Sequence, residues 1–147
     1  MLRKIILATS IATSLTVVGC STSMPNPSTD RNLAQLQNKN WVLTEINQVA
    51  YKADPSQSAV PTLIFDNSEV SGNDGCNQFM GGYAVMGTQI KFANLKSIEN
   101  NACSSATNLS QKFSQALSQV VSYDASKNEL KLLDSNNSVI IQFKNLK

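Results

Sequence analysis

Three thiols, Cys20, Cys76 and Cys103, are the most reactive side chains in this sequence, and the chain has no histidine. A thiol reacts as its thiolate. With no imidazole to lower a pKa and no CxxC spacing, nothing marks any of the three as a nucleophile or redox centre. The missing imidazole also removes the usual general base, the proton switch near neutral pH and the commonest metal ligand. Ser-His-Asp and Cys-His arrangements are therefore excluded. Asp66, Glu69 and Asp74 come nearest to a carboxylate cluster. Acid–base work needs two carboxyls held close in a cleft, and calcium needs several converging oxygens. These three lie instead in turn-like runs, Asp66-Asn67-Ser68-Glu69 and Asn73-Asp74-Gly75, and are expected to face solvent. A glycine-rich phosphate loop and a dinucleotide fingerprint are both missing. The expectation is a protein without enzymatic activity, metal or organic cofactor.

Cys20 takes its meaning from what precedes it. Arg3 and Lys4 make a positive tip, Ile5 to Val18 carry no charge, and Gly19 is a small residue at the exit. That is the layout of a secretory leader, and the apolar run falls short of the roughly 20 residues that span a bilayer. Val17-Val18-Gly19-Cys20 resembles the lipobox of bacterial lipoproteins, with Val17 where that pattern prefers Leu. The resemblance implies cleavage before Cys20 and a lipid (diacylglycerol, palmitate) on this cysteine. Residues 1–19 are then a signal peptide and 20–32 a lipidated tether. Ser21 to Arg31 is rich in Ser, Thr, Pro and Asn, with Met24 its one apolar residue, so it cannot offset its ordering entropy and is expected to be a flexible spacer. An Asp after the lipidated cysteine often signals inner-membrane retention. Ser21 stands there instead, which favours the outer membrane, facing the periplasm. Arg3 and Lys4 account for the formal charge of +2, so the chain from Cys20 onward is balanced. No basic run or stacking aromatic cluster points to nucleic acid.

Residues 33–147 leave room for one hydrophobic core. Alternation predicts strands at Trp41 to Ile46, Pro61 to Asp66, Val70 to Gly72, Asn77 to Val85, Gln89 to Phe92, Leu95 to Ile98, Glu129 to Leu133 and Val139 to Phe143, joined by Asn- and Gly-rich turns. Phe79, Gly81, Tyr83 and Val85 fall on one face. Ala106, Leu109, Phe113, Ala116, Leu117 and Val120 recur instead at helical spacing, predicting an amphipathic helix of about four turns, capped by Ser104 or Ser105. Gly72 and Gly75 suit positive φ or close backbone approach, Asn77 suits a turn, and Gly81-Gly82 within a strand suggests a bulge. The alternative is that the loop Ser71 to Asn77 grips a ligand.

In order along the chain, Leu36 to Ile46 (LQNKNWVLTEI), Pro61 to Asp66, Val70 to Tyr83 (VSGNDGCNQFMGGY), Ala102-Cys103, and Phe113, Leu117, Val120 and Tyr123 resemble the META domain family. That family includes the heat-shock protein HslJ of bacterial envelopes. The most specific piece is Gly72-x-x-Gly75-Cys76-Asn77-x-Phe79-x-Gly81-x-Tyr83, following the Trp41 strand. Ser97 stands where the family often has Thr, and the helix lacks an acidic residue common near Ser110. The resemblance implies an α+β, mostly antiparallel β fold: a curved, partly closed sheet with one packed amphipathic helix. It implies no established catalysis, and an association with heat shock and novobiocin tolerance. The expected role is a non-catalytic envelope lipoprotein, monomeric and membrane-anchored through Cys20, that binds or interacts with other molecules. The alternative is a small inhibitor or accessory subunit docking on a larger envelope protein. An exposed apolar patch or an unpaired strand edge would favour that alternative.

Lipidation of Cys20 would leave two thiols in an oxidising compartment, and the family pattern carries cysteines at both places. A Cys76–Cys103 disulfide is therefore expected, against the alternative of two buried reduced thiols. Closing that loop is worth about 3–4 kcal/mol in the chain-entropy model. Alkylation of the denatured protein before and after reduction, read by mass spectrometry, should find both thiols blocked until reductant is added. Free labelling of both without reductant would show that the bridge does not form.

Overall fold

Short runs of β-branched and aromatic residues alternating with polar ones favour pleated strands with one buried face. The structure, a computed structural model, describes residues 27–52, 60–98 and 108–146, with side chains from Asn32 onward. Cys20, the leader and Cys103 lie outside the described residues. The elements are α1 (Pro27–Leu36), β1 (Asn40–Ile46), β2 (Val49–Ala50), β3 (Thr62–Phe65), β4 (Glu69–Asn73), β5 (Gln78–Met86), β6 (Gln89–Ile98), α2 (Asn108–Ser118), β7 (Ser122–Ala125), β8 (Glu129–Leu133) and β9 (Val139–Asn145). The expected class holds: one antiparallel sheet with packed helices, two of them among the described residues rather than one.

The strands follow the order β2-β1-β3-β4-β5-β6-β7-β8-β9, and β1 also pairs with β9, from Trp41↔Asn145 to Ile46↔Ile141. First and last long strands thus close the sheet on itself, which covers most of its edges. One joint is thin. β6 and β7 share the single pair Gln89↔Ser122, flanked by the Ile90 N–H donating to Val121 O (3.1 Å) and the Tyr123 N–H donating to Thr88 O (2.9 Å). From Lys91 to Ile98, β6 has no strand partner on that side among the described residues. The sheet is partly closed, as expected.

Inward positions follow the period of two. Trp41, Leu63, Phe65, Val70, Leu130, Leu132, Ile141 and Phe143 are fully buried. On α2 the predicted stripe turns inward: Phe113, Ala116 and Leu117 are buried, and Leu109 packs on the core. The Phe113 ring lies 6.0 Å from Phe79 and 6.3 Å from Phe143. α2 thereby stoppers the ring of strands.

Four features differ from the sequence expectation. α1 begins at Pro27, inside the stretch expected to be a spacer through residue 32. Its C-terminal turn is held by tertiary contacts: Leu36 is fully buried, and the Trp41 indole Nε1 donates to Leu36 O (2.9 Å). β7 has only Tyr123 and Ala125 facing inward, too few for alternation to register. β2, two residues long, is shorter still. Leu95 to Ile98 is no separate strand. β6 runs through it by way of a bulge in which Asn94, at φ 52°, and Leu95 together oppose Gly81.

Gly72 shows why a side chain is missing at a strand position. A Cβ there would lie 2.0 Å from the Thr62 carbonyl oxygen, a backbone atom that cannot swing aside. At Gly82 the nearest contact would be 3.7 Å, to Ser68 O. Gly72→Ala should therefore cost roughly 1–3 kcal/mol by overpacking. Gly82→Ala should stay within about 0.5 kcal/mol of the parent. Urea unfolding midpoints test the pair, and equal midpoints would contradict the close approach.

Candidate functional site

The glycine-rich motif folds as a brace. After β4, the Asn73 side chain accepts from the Gly75 N–H (2.7 Å). Gly75 takes φ +98°, a conformation that suits glycine. Asp74 Oδ1 then accepts from the N–H groups of Cys76 (2.8 Å) and Asn77 (2.6 Å). Asp74 Oδ2 accepts from the Ser110 hydroxyl on α2 (2.7 Å). Asn77 contributes its carbonyl as acceptor of the Asp74 N–H (3.0 Å). Asp74 is 6% exposed and Ser110 4%, so the expectation that Asp74 faces solvent is corrected. A buried carboxylate is costly unless hydrogen-bonded, and the turn and helix supply the donors. Cys76 is buried and disulfide-bonded. The expected partner, Cys103, lies outside the described residues.

The other motif residues occupy the core or its rim. Trp41 is fully buried, and the Lys39 ammonium sits 5.3 Å from its ring centroid. Lys39 also donates to Gln35 Oε1 (2.8 Å), to the Gln35 carbonyl and to Ser126 O (3.2 Å). Burial holds its pKa below the ordinary lysine value. Phe79 packs on α2 through Phe113. The Tyr83 hydroxyl donates to Asp66 O (2.6 Å) and accepts from Gln37 Nε2 (2.7 Å), with its ring edge-on to Phe65 at 5.0 Å. Asp66, in the β3–β4 turn, and Glu69, the first residue of β4, are exposed; the Asp66 N–H donates to Glu69 O (2.9 Å). Asp74, turned inward, stands apart from them in role. Among the described residues no group of three or more Cys, Asp or Glu is placed to hold a metal ion.

The open joint is the feature that motif reasoning missed. Where β6 outruns β7, a cleft of about 1080 Å³ opens between β6, the end of α2 and the β8–β9 turn. Ile90, Phe92, Leu95, Leu117, Val120 and Val121 supply apolar lining. Leu95 and Val121 are exposed. Lys91 also lines the cleft, and neither Lys91 nor Lys96 has an ion-pair partner among the described residues. Asp134, on the far wall, spends its carboxylate on the N–H groups of Asn136 and Ser138 (both 2.9 Å). The usable chemistry is a backbone edge, an apolar floor and two lysines. No sequence signal marked it, because it comes from a ten-residue β6 beside a four-residue β7 that alternation does not register.

The META domain model matches residues 34–146. The chain belongs to the META domain family. Solved structures share the fold at low identity. A protein from Burkholderia xenovorans, solved by NMR, is 20% identical with a TM-score of 0.60, over 91% of this chain and all of that one. A second NMR structure is 22% identical with a TM-score of 0.57, over 83% of this chain and 96% of that one. A DUF4847 family protein from Bacteroides vulgatus, a crystal structure, is 14% identical with a TM-score of 0.57, over 76% of this chain and 95% of that one. No curated protein matches the sequence.

This META domain also buries a tyrosine hydroxyl, that of Tyr123, with no hydrogen-bond partner among the described residues. Desolvation, helped by nearby Tyr83, pushes the Tyr123 pKa up to about 12. Burial raises that of Tyr83 too, against the Gln37 hydrogen bond and with the help of Asp66. In the unfolded chain a tyrosine ionises near pH 10. Below that pH both states hold the proton and the fold keeps its full stability. Between about pH 10 and 12 only the unfolded state releases the Tyr123 proton, so stability falls. Tyr123→Phe removes a buried unpaired hydroxyl, so it should leave stability at pH 7 unchanged or raised and flatten the alkaline limb. Urea unfolding across pH 7–12 checks this, and an unchanged alkaline limb in Tyr123→Phe would contradict it.

Proposed function

We propose that this META domain chain is a lipid-anchored, non-catalytic interaction module of the bacterial cell envelope. The observation that carries the reading is the open β6–β7 joint, a cleft with apolar walls and a strand edge that has no partner among the described residues. The domain is not known as catalytic, and the buried polar groups of the glycine-rich motif serve one another. In this reading Cys20 carries the lipid, the domain faces the periplasm from the outer membrane, and its role is stress-linked, as the resemblance to HslJ implies.

The free edge of β6 favours a second, narrower form: a small inhibitor or accessory subunit docked on a larger envelope protein. An unpaired edge is a template for another chain, and enzymes do not require one.

Two measurements test the proposal. Wild-type protein should take up a palmitate analogue in cells and Cys20→Ala should not; a wild-type protein without label would refute the anchor. Affinity capture from native envelopes with the lipidated protein should retain a partner that is lost from denatured bait. Capture of nothing beyond the control would refute the module.

A further inference from the structure

We propose that the edge of β6 from Lys91 to Ile98, which has no strand partner on that side among the described residues, is a strand-addition site for an extended peptide segment that alternates apolar and acidic residues. This rests on the interaction-module reading and names the chemistry of the partner.

Three observations converge on that occupant. The first is the backbone. The Ile90 N–H points across the joint to Val121 O, and alternate residues of a strand present N–H and C=O to the same side. Phe92 therefore presents its backbone groups to the open cleft, where β7 has already ended. An added strand satisfies such groups, whereas a globular ligand satisfies few of them. The second is the alternation of faces along β6. Ile90 and Phe92 oppose the inward Val85 and Tyr83, so they face the apolar floor. Lys91 and Lys96 oppose Ala84 and Met80 and face outward. A strand added beside β6 would follow the same period, with one face over Phe92, Leu117 and Val120 and the other beside the lysines. Apolar residues suit the first face and carboxylates the second.

The third observation decides between a foreign segment and a second copy of this chain. Two β6 edges paired about a two-fold axis would gather the lysines of both copies on one outward face, and like charges close together across a strand pair are destabilising. Lysine on an edge strand is a known guard against self-pairing. Lys91 and Lys96 lack ion-pair partners among the described residues, so their charge is available to an acidic segment.

The test uses the full chain purified from membranes in detergent. The probe is a fluorescent peptide of about ten residues, a long strand, alternating valine with glutamate. Its companions are a valine–lysine version and a valine–glutamate version N-methylated at every second amide. The acidic peptide should bind and slow hydrogen exchange in β6. N-methylation should weaken it about tenfold or more, because it removes main-chain hydrogen bonds. Lys91→Glu with Lys96→Glu, both on exposed positions, should reverse the preference toward the lysine peptide by roughly two- to tenfold. Equal binding of the N-methylated peptide would overturn strand addition. So would β6-mediated dimerisation of the parent, or binding to phosphatidylglycerol vesicles in place of peptide. If envelope capture retains a partner that the double variant still holds and the peptide does not displace, this inference fails and the module reading stands. Failure of capture itself counts against the module.

Discussion

The pairing of β1 with β9 is the constraint on which the rest of the structure depends. It joins the first long strand to the last and turns a sheet into a ring with an inside. β1 is shared three ways, by β9 on one side and by β3 and then β2 on the other. Trp41 lies within that junction, fully buried, with its indole N–H spent on the end of α1. Without closure the inward residues of β1, β8 and β9 would have no opposite wall. The register shift between Leu43 and Glu45 bends β1 at this place, as bulges do in closed sheets.

Closure leaves a mouth, and the glycine-rich motif holds its stopper in place. Phe113 enters between Phe79 and Phe143, but an apolar stripe alone leaves the axial position of a helix loosely set. The Asp74–Ser110 hydrogen bond removes that freedom, since it ties the first turn of α2 to the β4–β5 turn. The same carboxylate organises the turn itself through Cys76 and Asn77. One buried acid thus sets both the loop and the helix. Charge-assisted hydrogen bonds are directional, and the apolar contacts around them are not.

The seam between β6 and β7 follows from unequal strand lengths. Ten residues stand beside four, and the chain between them belongs to α2 and its connections. A sheet closed by so short a strand cannot cover the whole of its neighbour. The outcome is an apolar floor at the surface, beside a backbone edge and lysines that have no partners among the described residues. That combination is the basis for reading the molecule as a binding module.

Local chemistry made much of this legible before the fold. Alternation at Leu63 and Phe65, or at Leu130 and Leu132, marks a buried face wherever the strand ends up, because side-chain direction has period two. The helical stripe through Phe113 and Leu117 and the bulge at Gly81 were legible for the same kind of reason. Asp74 was misjudged because an acid beside glycine looks like a solvated turn. The local turn satisfies one carboxylate oxygen, and Ser110 from a distant helix satisfies the other. α1 was too polar and β7 too short to announce themselves, and distant partners stabilise them. What the sequence by itself determined was therefore the inventory of strands, the stopper helix and the residues of the motif, all set by period and composition. What only the tertiary structure decided was ring closure, the burial of Asp74 and the open edge of β6, because each depends on which distant segment arrives beside it and how long that segment is.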